Sequence, residues 1–194
     1  MSTGPASSIS GSTSLLRRGG RSAALVLAGS LLLWASAKIQ VPFWPVPATM
    51  QSLVVLLLGC AYGARLGAAA VLAYLAEGLV GLPVFAGAAA GPAYMAGPTG
   101  GYLAGFLLAA AATGWLAGRG WARGPARVAL MLSVGHLLLF IPGVLWLAVL
   151  LGWTKAIAVG VTPFIAATLV KTGLGVALVA ALPKLFGRRS AIPH

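Results

Sequence analysis

The chain has 194 residues, 60% of them hydrophobic and only 7% charged, whereas soluble domains carry roughly 25% charged residues. One globular core cannot bury that much apolar surface but a bilayer can, so the composition argues against a soluble domain and for one polytopic membrane domain. Thirteen Lys and Arg stand against a single acid, Glu77; taken alone this suggests nucleic acid, but the basic residues lie in short segments beside apolar runs and are not interleaved with aromatics as on a nucleic-acid platform.

Residues 1–20, rich in Ser, Gly and Thr at their start, read as a disordered cytoplasmic leader. Arg17, Arg18 and Arg21 then precede a first apolar span, Arg21–Lys38. Within it Ala24 and Ala28 form a small-xxx-small pair, which suits either packing inside the bundle or docking on another membrane protein; spacing does not decide. The same stretch imitates a signal peptide, with two arginines, the apolar Ala23–Trp34 and "ASA" at 35–37. Against that reading, the rest of the chain is also a membrane domain, and cleavage would leave an odd number of spans.

The next segment, "KIQVPFWPVPATMQ", holds Pro42, Pro45 and Pro47 and cannot be helical. Phe43 and Trp44 ride on it. Spans two and three follow as Thr49–Tyr62 and Leu66–Val80, both short against the ~20 residues that cross a bilayer. Cys60 is alone, so no disulfide framework or CxxC site exists within the chain. "GLPVFAGAAAGPAYMAGPTGGY" is long for a helix connection, apolar and uncharged. It and the proline-rich segment are expected to fold back and cap the bundle.

At "AGPTGGYLAGF" (96–106) Pro98 and the glycines stop any earlier helix, and Thr99 or Gly100 can cap span four, Gly101–Gly118. The helix start at Thr99, Gly100 and Gly101 offers unpartnered amides to polar or anionic ligand groups. Gly101 and Gly105 equally suit plain helix packing, which spacing alone favours. Arg119, Arg123 and Arg127 fill the following loop before span five, Val128–Leu151. His136 and His194 lack ligand spacing, and no metal site is expected. A third connection, "GWTKAIAVG", leads to span six, Val161–Phe186, and 188–194 is a basic cytoplasmic tail.

Lys171 lies ten residues into span six, about 15 Å deep at 1.5 Å per residue and near the midplane of a ~30 Å core. An ammonium there costs at least ~2.5–3.5 kcal/mol on insertion scales. Phe164, Thr168, Lys171, Thr172 and Gly175 share one helical face. Snorkelling is hard from that depth, so the charge either pairs with Glu77 or serves a ligand. With both termini cytoplasmic, the outer loops keep only Lys38 and Lys155, as the positive-inside rule requires. No GxxxxGK[ST], carboxylate pair or Ser-His-Asp set appears, so the chain is read as neither an ATPase nor an enzyme.

"VPFWPVPATMQSL" (41–53), "EGLVGLPVFAG" (77–87) and "AGPTGGYLAGF" (96–106) resemble BioY, the biotin-specific substrate-binding S component of energy-coupling-factor transporters. The resemblance runs from the first span to the sixth. It implies an all-α integral membrane protein over 21–187: six transmembrane helices around an outward-facing vitamin pocket, closed by the loop between helices 1 and 2. It implies a bacterial cytoplasmic-membrane location, biotin as the ligand with no cofactor, and as partners a transmembrane T component and two cytosolic ATPases. Docking on the T component would use Ala24 and Ala28. In the pocket, Phe43 and Trp44 would form a lid, Gln51, Tyr102 and Thr168 would meet the ureido group, and Lys171 an oxygen or the carboxylate. Two departures stand out. The family's helix-6 pattern reads like "PFLPGDLLK" where this chain has "PFIAATLVK" (163–171), so Thr168 replaces an aspartate beside the kept lysine. An asparagine expected after "LPVFAG" is also missing from "AAAG" (88–91). Without that aspartate, Glu77 or the biotin carboxylate would have to compensate Lys171, or the contacts differ.

Overall fold

The computed structural model describes residues 9–182, with side chains placed from Gly19 onward. The N-terminal end of the expected leader, the end of the expected sixth span and the basic tail 188–194 lie outside the described residues. Seven α-helices follow in order: α1 (Ile9–Ala37), α2 (Gln51–Leu79), α3 (Gly91–Ala96), α4 (Gly100–Leu116), α5 (Pro125–Leu151), α6 (Trp153–Gly160) and α7 (Phe164–Ala181). Two short strands, β1 (Gln40–Val41) and β2 (Ala48–Thr49), pair antiparallel with Gln40 opposite Thr49. They clasp the proline-rich segment, which is non-helical as its three prolines require.

Most of these helices fall on the expected apolar runs. α1 reaches back to Ile9, into the stretch expected as a leader. α4 continues into a wider turn over Ala117–Trp121, broken within it at Gly120, φ 86°. The connection "GWTKAIAVG", expected as loop, is the short helix α6, set off by Gly152 at φ 81°.

The Thr49–Tyr62 and Leu66–Val80 spans appear as the single element α2, interrupted at Gly63 (φ 78°, ψ 170°). A continuous helix would hold Gln51 and Tyr74 about 34 Å apart. Instead the Gln51 Nε2 donates to the Tyr74 hydroxyl at 2.6 Å, so the chain reverses at Gly63 and the two limbs run back to back. Only glycine accepts that backbone without strain. The limbs meet through Gly59 and Gly67: a Cβ on Gly67 would come within 2.9 Å of the Gly59 Cα. Five helices among the described residues are long and apolar enough to cross a membrane, with α2 taken as one.

Small residues set the other helix crossings, as expected where lipid removes the hydrophobic drive between helices. Gly101 and Gly105 of α4 lie against the α5 backbone, at Pro142–Gly143 and Leu139. Gly114 faces the backbone of Gly63 and Ala64, so α4 also packs on the α2 reversal. Gly114→Val is therefore expected to lower stability by about 1–3 kcal/mol, the range for overpacking, measured as a fall in the detergent melting temperature. An unchanged melt would mean that the α2–α4 crossing gives way without loss.

The outer shell is apolar. Leu31, Leu137, Val149, Leu169 and Val170 are all more than half exposed, as lipid-facing side chains are. Trp34, Trp115 and Trp153 are also exposed and suit the water–lipid boundary.

Candidate ligand-binding site

The inward face of α7 carries Phe164, Lys171 and Gly175 buried and Thr168 half-buried, the face that the i, i+3/i+4 spacing predicts. With α4, α5 and the β1–β2 segment it encloses a cavity. Its polar lining is Thr49, Gln51, Ser52, Thr99, Thr168 and Lys171, and its aromatic lining is Tyr94, Tyr102, Phe106, Phe140 and Phe164. The cavity leaves about 60 Å³ for the centres of water-sized molecules, several times the ~10–15 Å³ that one water needs.

Lys171 is 9% exposed. Its Nζ donates to the Thr49 carbonyl at 2.7 Å and to Ser52 Oγ at 3.0 Å. An ammonium has three donors, so a third remains for an occupant of the cavity. Both acceptors lie at the start of α2. The partial positive charge of that helix end adds to the ammonium instead of neutralising it. The pairing of Lys171 with Glu77, held open above, is not formed: Glu77 accepts the Ser30 hydroxyl at 2.5 Å in the α1–α2 seam. One carbonyl and one hydroxyl solvate the cation without cancelling its charge, so the cavity is electropositive at its floor.

The other polar groups are already engaged. Gln51 donates its amide to Tyr74, whose hydroxyl donates to the Val84 carbonyl at 3.0 Å, while Thr49 Oγ1 donates to Gln51 Oε1 at 3.1 Å. This chain ties the start of α2 to its second limb and to the 81–90 loop. Tyr102, expected to offer its hydroxyl to a ligand, donates it to the Gly160 carbonyl at 2.8 Å. Its ring walls the cavity, edge-on to Phe140 with centroids 6.0 Å apart. Thr168 lines the cavity on the same face as Lys171.

The expected lid divides. Val46 and Pro47, not Trp44, cover the cavity, and Val46 is 4% exposed. Trp44 is 85% exposed and joined to Pro45 by a cis peptide bond. Phe43 packs edge-on against Phe164, centroids 6.1 Å apart. It also lines an adjoining cavity that shares Pro47, Ala86, Tyr94 and Thr99 with the first. At the start of α4, Thr99 lines the cavity but makes no side-chain cap; its Oγ1 lies 3.5 Å from the Tyr94 carbonyl. Gly100 and Gly101 pack against Met95, Pro142 and Trp146, so the packing reading accounts for these two glycines. No residue of "AAAG" (88–91) lines the cavity in place of the missing asparagine; the flanking Ala86 and Tyr94 are the nearest contributors. Burial raises the Tyr94 phenol above its ordinary 10.0, which keeps it a neutral donor.

Sequence reasoning missed Ser52 and Lys38. Ser52 follows Thr49 by three residues, which places both at one helix start, but no apolar pattern marks it. Lys38 closes α1 and donates to the carbonyls of Pro83 at 2.9 Å, Phe85 at 3.1 Å and Gly87. It pins the 81–90 loop beside the proline-rich segment. Ala24 and Ala28 are both exposed on α1, whereas Gly29, Ser30, Leu33 and Ala37 form its buried face.

Comparison with known proteins accords with this geometry. The BioY family model matches residues 10–188. A probable biotin transporter BioY of Pyrococcus horikoshii is 41% identical over 140 residues, 72% of this chain and 82% of that protein. The biotin transporter BioY of Rhizobium etli is 38% identical over 169 residues, 82% of this chain and 85% of that protein. The crystal structure of the S component for biotin from an ECF-type ABC transporter superposes with a TM-score of 0.74 at 25% identity, covering 88% of this chain and 96% of that one. With its family matched across nearly the whole described length and such relatives beside it, the chain belongs to the BioY family.

Proposed function

We propose that this chain binds biotin with high affinity as the S component of an energy-coupling-factor transporter. It is a membrane subunit without enzymatic activity. The observation that carries the reading is the cavity under β1–β2: aromatic walls, neutral hydrogen-bonding groups and one ammonium without a carboxylate partner. Biotin is a bicyclic ring bearing a ureido group and a carboxylate tail. A largely apolar slot with a few fixed polar groups suits it. Lys171 takes a ligand oxygen, Thr168 and Gln51 border the polar end, and the Tyr102, Phe140 and Phe164 rings flank the apolar part.

The reversal at Gly63 supports a count of six crossings, with both termini on the cytoplasmic side by the distribution of Arg and Lys. The proline-rich segment then caps the pocket from outside. The chain has no nucleotide-binding loop, so a T component and two ATPases energise uptake across the bacterial cytoplasmic membrane. The exposed Ala24–Ala28 face of α1 is the docking surface for the T component. Thr168 in place of aspartate favours one second reading, an S component for a different small vitamin. Purified full-length chain is expected to melt higher with biotin and not with other vitamins, since a ligand that binds only the folded state stabilises it. A shift with another vitamin and none with biotin moves the assignment to that vitamin. No shift with any of them rejects the transporter reading in favour of a structural or channel protein.

A further inference from the structure

We infer that the site also accepts biotin whose carboxyl group is joined as an N-alkyl amide, its ureido ring in the inner cavity and its amide-linked chain running outward past Gln40. This rests on the biotin reading and extends it to a class of ligand. The adjoining cavity shares Pro47, Ala86, Tyr94 and Thr99 with the inner one, so the two form one passage. The outer chamber leaves about 370 Å³ for the centres of water-sized molecules, against about 60 Å³ in the inner one. Pro42, Phe43 and Ala93 in its lining are exposed, so the passage reaches the protein surface.

The two chambers differ in chemistry. The inner one has aromatic walls and the Lys171 ammonium with one donor left, which suits a single ureido carbonyl held between rings. The outer one has no charged side chain in its lining, which is mostly proline, alanine and glycine. Lys38, two residues before Gln40, spends its three donors on the carbonyls of Pro83, Phe85 and Gly87. A carboxylate that reaches the outer chamber therefore finds no counter-charge and stays hydrated at the mouth. A secondary amide is neutral, with one N–H to donate and one carbonyl to accept. Gln40 carries the matching pair: it is half-buried in the outer chamber, and its side-chain amide has no partner among the described residues. The alkyl chain beyond the amide then passes proline and alanine walls without desolvating a charge.

Calorimetry on the full-length chain in detergent, comparing biotin with ε-biotinyl-lysine, tests this, since the tail of the second ligand is such an amide. Biotinyl-lysine is expected to bind within about tenfold of biotin, a difference no larger than one net hydrogen bond. Gln40→Lys supplies a cation for a carboxylate and removes the acceptor for the amide N–H. It should shift the affinity ratio toward biotin by roughly fivefold or more, the worth of about one hydrogen bond. Ala93→Trp fills the outer chamber from its exposed side and should shift the ratio in the same direction. Biotin bound as expected with biotinyl-lysine weaker by more than that tenfold overturns the inference and leaves biotin itself as the ligand. A ratio that neither substitution moves also overturns it, because the tail then lies elsewhere. Failure of the unsubstituted chain to bind either ligand rejects the biotin reading as well.

Discussion

Lys171→Met is expected to weaken biotin binding by roughly tenfold or more, the loss that follows from removing one charge-assisted hydrogen bond in a dry site. The same substitution should raise the melting temperature of the unliganded protein. The two effects have one origin. The ammonium is 9% exposed, solvated by one carbonyl and one hydroxyl, and placed at the positive end of α2. A buried charge without a counter-ion costs desolvation free energy that an apolar side chain of similar length does not, and this outweighs the two donated bonds. A residue that only held the bundle together would lower both stability and affinity. Lys171→Arg keeps the charge but not the geometry and should fall between. Calorimetry and melting in the same detergent measure the pair. Unchanged affinity in Lys171→Met would take Lys171 out of the ligand's contacts.

Ala24→Trp or Ala28→Trp is expected to leave biotin affinity within about twofold, because exposed substitutions away from packed features change energies by only about 0.5 kcal/mol. Uptake by cells carrying the complete transporter should fall to background. The separation follows from α1 itself. Its buried face, Gly29, Ser30, Leu33 and Ala37, packs on α2, with a Cβ on Gly29 only 2.7 Å from that of Ala70. Ala24 and Ala28 point elsewhere and are exposed. An indole on that face would hold a partner helix off by several ångströms, since small residues are what lets membrane helices approach. Uptake at the normal rate in both variants would move the T-component contact to another face.

What the sequence made legible was whatever depends on local periodicity. The face of α7 that joins Phe164, Thr168, Lys171 and Gly175 follows from helix geometry alone, and the non-helical 42–47 segment follows from its prolines. The small-residue crossings at Gly101 and Gly105 were legible as packing. The partners of Lys171 were not. Its acceptors are a backbone carbonyl and a serine about 120 residues earlier, and main-chain acceptors leave no side-chain signature. The Gln51–Tyr74–Val84 chain was hidden for a related reason, because it exists only once α2 reverses at Gly63. Trp44 misled as a lid: bulk and aromaticity suggested cover, but the neighbouring Val46 and Pro47 turn inward while the indole stays 85% exposed. Tyr102 lines the cavity, yet its hydroxyl, expected to face a ligand, serves Gly160. Residue type identified that ring but not the direction of its polar end.

The grip of Lys38 on three carbonyls of the 81–90 loop bears on timing. Lys38 joins the end of α1 to β1, and the loop it grasps carries Ala86 and leads to Tyr94, so both flaps of the roof meet at one fastener. Were a molecule held in the chamber beneath, either flap could lift only after those three bonds broke, and the dwell time of the guest would then depend on that fastener as well as on how well the chamber fits.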